Sequence, residues 1–297
     1  MRGNIHRKGG ITMPRIFTPK PEWLRKKITP SSHQAMHRLL GEGNIHTICE
    51  EALCPNISEC FSQKVATFMI LGTECTRACS FCAVSRAKPM PPDPLEPEKI
   101  ANAVLKLGLK HVVITSPTRD DLNDGGAGHF CETVYAIKAL DDSIIVELLI
   151  PDMQENDQAL ESIAMSGVKI IGHNLETIPR LYHVRKGSNY ERSLRVLRKL
   201  SEFNPLCTTK SGIMLGLGER DDDVIKLMDD LLKVGCRFLS IGQYLSPSLH
   251  HAAVVEFVKP ERFEFFRRVG LEMGFGYIKS SPYTRSSYMA HEYLEES

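Results

Sequence analysis

The sequence lacks any apolar run of the eighteen or so residues that a membrane span requires. It has a single tryptophan, Trp23, and a net charge of only +1 at pH 7. No membrane-spanning helix is expected. A secretory signal is not expected either, because Gly, Pro and Thr interrupt every apolar stretch that follows the first basic residues. The charge that exists is unevenly placed: residues 1–30 hold eight Lys or Arg (Arg2, Arg7, Lys8, Arg15, Lys20, Arg25, Lys26, Lys27) against Glu22 alone. That segment reads as a basic, partly disordered arm. A transit peptide is the alternative reading, and Met13 is an alternative start.

With 297 residues, 42% hydrophobic and 25% charged, the chain can bury the core of one α/β-barrel-sized domain or of two smaller ones. Its nine cysteines are clustered. Cys49, Cys54, Cys60, Cys75, Cys79 and Cys82 crowd one segment, whereas Cys131, Cys207 and Cys236 stand alone and read as small core residues. An odd count without a secretory signal points to reduced thiols and a cytoplasmic protein, in which close cysteine sets bind metal more often than they form disulfides.

From Ala66 onward, short apolar runs alternate with helical ones. Six runs read as strands: 66–71, 111–115, 144–150, 169–173, 211–217 and 237–245. Between them, Ile100, Ala103, Val104 and Leu107, or Leu194, Leu197 and Leu200, put apolar side chains on one helical face. Gly108, Gly167, Gly235 and Gly274 suit left-handed ends of helices. Near-continuous apolar strands alternating with amphipathic helices imply a parallel sheet covered by helices, either a βα barrel or a doubly wound fold. In both, functional groups collect at the carboxyl ends of the strands.

The first strand runs into Cys75-x3-Cys79-x2-Cys82. Three thiolates can hold three irons of a four-iron cubane and leave one iron open to a small molecule. The zinc alternative wants four ligands, and no fourth Cys or His follows closely; the next histidine is His111. Upstream, Cys49-x4-Cys54-x5-Cys60 has offsets that do not keep one helix face, so a bent loop with Pro55 must gather the ligands. Glu50, Glu51, Asn56 and Glu59 make that stretch too polar for three core thiols.

The Cys75–Cys82 set, with Phe81 before its last cysteine, resembles the signature of radical S-adenosylmethionine enzymes. Together with the upstream triplet and Arg285-Ser286-Ser287-Tyr288, it resembles lipoyl synthase. The likeness runs from Lys20 to Ala290 and includes Lys20-Pro-Glu-Trp-Leu-Arg25, Arg119-Asp-Asp-Leu122, Asp124-Gly-Gly-Ala-Gly-His-Phe130, His173-Asn-Leu-Glu-Thr177, Lys210-Ser-Gly212 and Gly216-Leu-Gly-Glu219. It departs at Ser280-Ser-Pro-Tyr-Thr, where the family usually shows Ser-Gly-Pro, and at Cys131 and Cys207.

The resemblance implies a partial (β/α)6 barrel with N- and C-terminal extensions: an arm over 1–30, an auxiliary-cluster extension over 31–64, the barrel over 65–275 and a tail over 276–297. It implies two 4Fe-4S clusters and S-adenosylmethionine. Cys75, Cys79 and Cys82 would hold the catalytic cluster, and Cys49, Cys54, Cys60 and the serine ligand Ser286 the auxiliary one. Thr115, Ser116, Asn174, Glu176, Lys210, Glu219, Gln243 and Tyr244 would contact the cofactor. The implied reaction inserts sulfur at C6 and C8 of an octanoyl chain on a carrier lysine. Implied partners are octanoylated lipoyl carrier domains (2-oxoacid dehydrogenase E2 subunits and the glycine cleavage H protein), an electron donor such as ferredoxin or flavodoxin, and an iron–sulfur carrier for cluster repair. Neither nucleic acid nor a membrane is an expected partner. Another radical S-adenosylmethionine sulfur inserter, or a non-catalytic metal-binding protein, are the competing readings.

Overall fold

A computed structural model describes residues 19–25, 40–41, 45–52, 54–62 and 66–288. Most of the basic arm, Met13 included, lies outside the described residues. The described chain forms one eight-stranded sheet in sequence order, β1 (His46–Thr47), β2 (Thr67–Met69), β3 (His111–Thr115), β4 (Ile145–Leu149), β5 (Ile170–Gly172), β6 (Thr208–Leu215), β7 (Phe238–Gln243) and β8 (Tyr277–Ser280). Strands β2 to β8 pair in parallel and β1 pairs antiparallel with β2. The order has two edges, β1 and β8, so the barrel is open.

Helices α1 (Ile48–Glu51) and α2 (Ile57–Ser62) precede the parallel strands. Helices α3 (Glu96–Leu107), α4 (Ala127–Leu140), α5 (Asp157–Ala164), α6 (Tyr190–Phe203), α7 (Asp221–Lys233) and α8 (Pro260–Met273) follow β2 to β7 in turn. The reason is visible in the pattern: α3 buries Ile100, Ala103, Val104 and Leu107, and α6 buries Leu194, Leu197 and Leu200, which face the outer side of the sheet. Gly108, Gly167, Gly235 and Gly274 all have positive φ, so each turns its helix end at no steric cost.

All six expected strands are present, and the sheet extends beyond them at both edges. β8 carries only two apolar residues, Tyr277 and Ile278, before Lys279 and Ser280, too few to register as a buried strand; it is an edge strand, buried in part. β6 begins three residues earlier than its apolar run, because Thr208, Thr209 and Lys210 are accommodated within the sheet.

Side chains inside the barrel alternate with those under the helices. One internal cluster consists of Val113, Ile170, Phe238 and Tyr277, with the last two rings edge to face at 6.2 Å. Beside it Lys210 Nζ meets Glu147 Oε1 at 2.7 Å, the side chains being 2% and 1% exposed, and His111 Nε2 lies 3.5 Å from Glu147 Oε2. Burial alone would push the Glu147 carboxyl up, but Lys210 and His111 hold it below the usual range. Breaking such a pair from one side leaves a buried charge uncompensated. Lys210→Met is therefore expected to lower the unfolding free energy by about 3–5 kcal/mol, and adding Glu147→Leu to restore most of it, as read by urea denaturation followed with circular dichroism.

Candidate active site

Strand β2 leads into an irregular loop that carries Cys75, Cys79 and Cys82. Leu71 and Gly72, both at positive φ, turn the chain there, and Gly126 is required beside them: a Cβ on it would stand 2.3 Å from Leu71 Cδ1. The loop is pinned at many points. Cys75 N–H donates to Ser85 O (2.8 Å), Thr76 N–H to Thr118 O (3.0 Å) and Ser80 N–H to Val184 O (2.8 Å), while Ala252 N–H donates to Ser80 O (2.7 Å). The His251 ring reaches Cys82 O at 3.0 Å. Arg77, between the first two cysteines, bonds Asp120, Asp152 and Ser188.

Cys79 and Cys82 share one electrostatic environment. Burial pushes Cys79 up to about 12, against the opposing pull of the Arg185 guanidinium and with contributions from Cys82, Glu176 and Cys75. Cys82 is pushed up to about 11 by burial, with Glu176 and Cys75 adding to it. Such thiols resist ionisation until a metal compensates the negative charge.

The second triplet is assembled by short elements. Thr47 caps α1, accepting from Glu50 N–H at 3.4 Å; Cys49 lies on α1, Cys54 in the turn that follows and Cys60 on α2. Cys54 N–H donates to Cys49 O at 2.9 Å. The three cysteines line one cavity together with Asn56, Ala66, Thr67, Arg285, Ser287 and Tyr288. Burial, with Cys54 next, pushes Cys49 up to about 12.

The tail completes this cavity. After β8 the chain folds back: Asn56 Nδ2 donates to Tyr283 O (2.7 Å), Thr67 Oγ1 to Ser287 Oγ (2.7 Å) and Tyr288 OH to Glu59 Oε1 (3.0 Å). Gly212 and Gly242 make room for it. A Cβ on Gly242 would stand 2.0 Å from Thr284 O, and one on Gly212 2.8 Å from Ser286 Oγ. Arg285 lines this cavity, and both Cys54 and Glu176 act on its charge.

Of the residues expected to meet the cofactor, Asn174 and Glu176 are brought to this region. Asn174 Nδ2 donates to Ser286 Oγ (2.6 Å) and Glu176 Oε1 (3.1 Å). Glu176 adopts φ 68°, and burial pushes its carboxyl up against the pull of Arg185. Asn174 Oδ1 and Ser116 Oγ are buried without a protein partner. Thr115 Oγ1 is taken by Leu149 O at 2.7 Å. The remaining four are held by the scaffold. Lys210 pairs with Glu147 inside the barrel. Glu219 accepts from the N–H groups of Gly216, Leu217 and Gly218. Gln243 Nε2 donates to Leu215 O, Tyr244 O and Glu256 O. Tyr244 OH donates to Ala252 O at 2.8 Å. Ser286 bonds Asn174, whereas its neighbour Ser287 lines the cysteine cavity. Sequence reasoning missed Arg77, Arg185 and Asp152; an arginine between two cysteines was the one available signal.

The donor set suits two iron–sulfur clusters. Nine free thiols are present, three of them around one cavity and three in one loop. Among the described residues no group of three or more His, Cys, Asp or Glu side chains is arranged to hold a single metal ion. Orphaned Ser116 Oγ and Asn174 Oδ1 offer partners to a polar ligand.

The radical SAM superfamily model matches residues 69–231, and the chain is a radical S-adenosylmethionine protein, which implies that cofactor and a 4Fe-4S cluster. Lipoyl synthase of Geobacter metallireducens is 56% identical over 274 residues, 92% of this chain and 97% of that one, and lipoyl synthase of Geobacter sulfurreducens is 54% identical over 290 residues, 98% and 92%. The chain belongs to the lipoyl synthase family, and it is an enzyme of that type. Two solved structures share the fold: Streptococcus suis SuiB bound to S-adenosylmethionine (TM-score 0.56, 12% identity, 75% of this chain and 52% of that one) and methylornithine synthase (0.52, 16%, 67% and 60%). This chain thus spans about half of the first and three fifths of the second. Among the described residues no helix is long and apolar enough to cross a membrane.

Two outcomes are expected from this geometry. Gly242→Ala should push the tail off β7 and speed amide exchange of Tyr288, whose N–H bonds Arg285 O, whereas Gly128→Ala on α4 should not; hydrogen-exchange mass spectrometry distinguishes them. In metal-free protein, iodoacetamide labelling of Cys49, Cys79 and Cys82 should keep rising toward pH 11 to 12 instead of levelling near the usual thiol range, as read by peptide mass spectrometry.

Proposed function

We propose that this enzyme inserts two sulfur atoms, at C6 and C8, into an octanoyl chain amide-linked to a lysine of a carrier domain. The observation that carries the reading is the tail's position: one tetrad has Ser287 and Arg285 lining the Cys49–Cys54–Cys60 cavity and Ser286 bonded to Asn174. A tetrad that lines one cysteine cavity and reaches Glu176 through Asn174 suits a substrate that is activated at one centre and receives sulfur at the other.

Cys75, Cys79 and Cys82 would hold the catalytic cluster, and Cys49, Cys54 and Cys60 the auxiliary one. When bound, the first supplies the electron that cleaves S-adenosylmethionine, and the second supplies sulfur. Ser287 is the better fourth auxiliary ligand than Ser286, because its hydroxyl already lines the cavity while that of Ser286 is engaged by Asn174. Asn174 Oδ1 and Ser116 Oγ, buried and unpartnered, would take hydrogen bonds from the amino or hydroxyl groups of S-adenosylmethionine. Arg185, buried and hydrogen-bonded to Tyr182 OH at 2.6 Å, and Arg285 offset the negative charge that thiolate-bound clusters bring.

The carrier would be an octanoylated lipoyl domain, from a 2-oxoacid dehydrogenase E2 subunit or the glycine cleavage H protein. A ferredoxin or flavodoxin would deliver electrons, and an iron–sulfur carrier would rebuild the auxiliary cluster. The extension over 31–64, the barrel over 65–275 and the tail over 276–297 fit these roles in turn.

The test is an anaerobic assay on an octanoylated peptide with mass spectrometry of the products. Cys79→Ala is expected to abolish both 5′-deoxyadenosine and thiolated peptide. Cys54→Ala should still yield 5′-deoxyadenosine with dithionite but no thiolated peptide, and Ser287→Ala should follow it more closely than Ser286→Ala does. Insertion of both sulfurs by Cys54→Ala, with its auxiliary iron shown to be absent, would sink the sulfur-donor assignment.

A further inference from the structure

Arg77 stands inside the Cys75–Cys82 loop, yet nothing about cluster ligation requires it. Its side chain is 5% exposed, and all five of its N–H donors are used. Nε and Nη2 bond the two oxygens of Asp120 (2.8 and 2.8 Å), Nη1 and Nη2 bond the two oxygens of Asp152 (2.8 and 2.6 Å), and the remaining Nη1 hydrogen goes to Ser188 Oγ (2.9 Å). A guanidinium held bidentately by two carboxylates has no rotational freedom left.

The partners come from three different connections, after β3, β4 and β5. Asp152 is fully buried and is shared with Arg192, 2.8 Å away. Burial would push its carboxyl up, but Arg77, then His173 and Arg192, hold it down at about 2. The chain after Asp152 is strained: Met153, Gln154 and Glu155 all have positive φ. Three such residues in succession persist only where the surroundings over-determine them. Here Met153 packs on Gly125, where a Cβ would meet its sulfur at 2.8 Å, and Glu155 is gripped by Arg195 and Lys199.

The main chain of Arg77 faces the other way. Its N–H donates to Cys75 Sγ at 3.4 Å. Hydrogen bonds to ligating sulfurs stabilise the more negative, reduced state of an iron–sulfur cluster and so raise its potential.

We propose that Arg77 is a positioning residue: its five-donor clamp to Asp120, Asp152 and Ser188 fixes the Arg77 N–H···Sγ Cys75 bond and thereby sets the reduction potential of the catalytic cluster. This rests on the assignment of Cys75 as a ligand of that cluster. A buried ion pair by itself adds little net stability, so a purely structural role would leave the cluster's spectrum and potential unmoved.

The experiment uses anaerobically reconstituted full-length enzyme, wild type beside Arg77→Lys, Asp120→Asn and the control Arg268→Lys, which alters an exposed ion pair on α8. Iron content, electron paramagnetic resonance with and without S-adenosylmethionine, and the midpoint potential of each cluster are measured. Arg77→Lys keeps the charge but not the fork; its catalytic-cluster potential is expected to fall, its spectrum with S-adenosylmethionine to change, and 5′-deoxyadenosine formation to drop about tenfold or more. The auxiliary cluster should be unmoved, and Asp120→Asn should shift the same potential less, in the same direction. Unchanged potential and spectrum in both variants, or equal shifts in both clusters, overturns the proposal. If Arg77→Lys fails to retain iron, Asp120→Asn decides by the same criteria. A wild-type protein that cannot hold a cluster on Cys75, Cys79 and Cys82 would overturn the functional reading instead, and this inference with it.

Discussion

The structure depends on a steric concession made by two glycines on neighbouring strands. Gly212 on β6 and Gly242 on β7 leave the space that Thr284, Arg285 and Ser286 occupy. Because the tail fits there, Ser287 reaches the upstream cysteines and Tyr288 reaches Glu59. Without that space the Cys49–Cys54–Cys60 cavity would lose the wall that Arg285, Ser287 and Tyr288 form. An open barrel also needs its edges covered, and the same tail serves the β8 side.

Buried charge is concentrated around this region, and each instance has a partner. Arg77 has two aspartates, Lys210 has Glu147, and Arg185 has a tyrosine, a serine and the field of Glu176. Burial loosens the proton of Lys210 and of Arg285, with Glu147 pulling the other way at the first and Cys54 and Glu176 at the second. The arrangement makes sense if negative charge arrives with the clusters: cations already placed in a low-dielectric site stabilise it without reorganisation.

The strands were legible because parallel strands covered on both faces are nearly continuous apolar runs. β8 and the start of β6 were not, since Lys279, Ser280, Thr208 and Lys210 break that signal while still belonging to the sheet. The cysteine spacing was legible as chemistry. Single residues were less so. Gln243 and Glu219 have the polar character of ligands, but their side chains close on nearby backbone groups, a fact of turn geometry that residue type does not encode. Arg77 and Arg185 carry no periodic signal at all; what they do depends on which strand-end loops the barrel brings beside them. Ser286 and Ser287 differ in what they touch, Asn174 for the first and the cysteine cavity for the second, a difference that only the folded chain shows.

The tail contacts also impose an order on biosynthesis. Asn56 and the carbonyl it binds at Tyr283 are 227 residues apart in sequence, and contacts of such separation form late because the intervening loop must close first. While the ribosome is still making the barrel, six clustered cysteines have emerged and the wall that shelters three of them has not. Until β8 docks and the tail folds back, Cys49, Cys54 and Cys60 lack the side of their cavity that Arg285, Ser287 and Tyr288 form, so a pocket whose cysteines come early in the chain is completed only by residues made near the end of it.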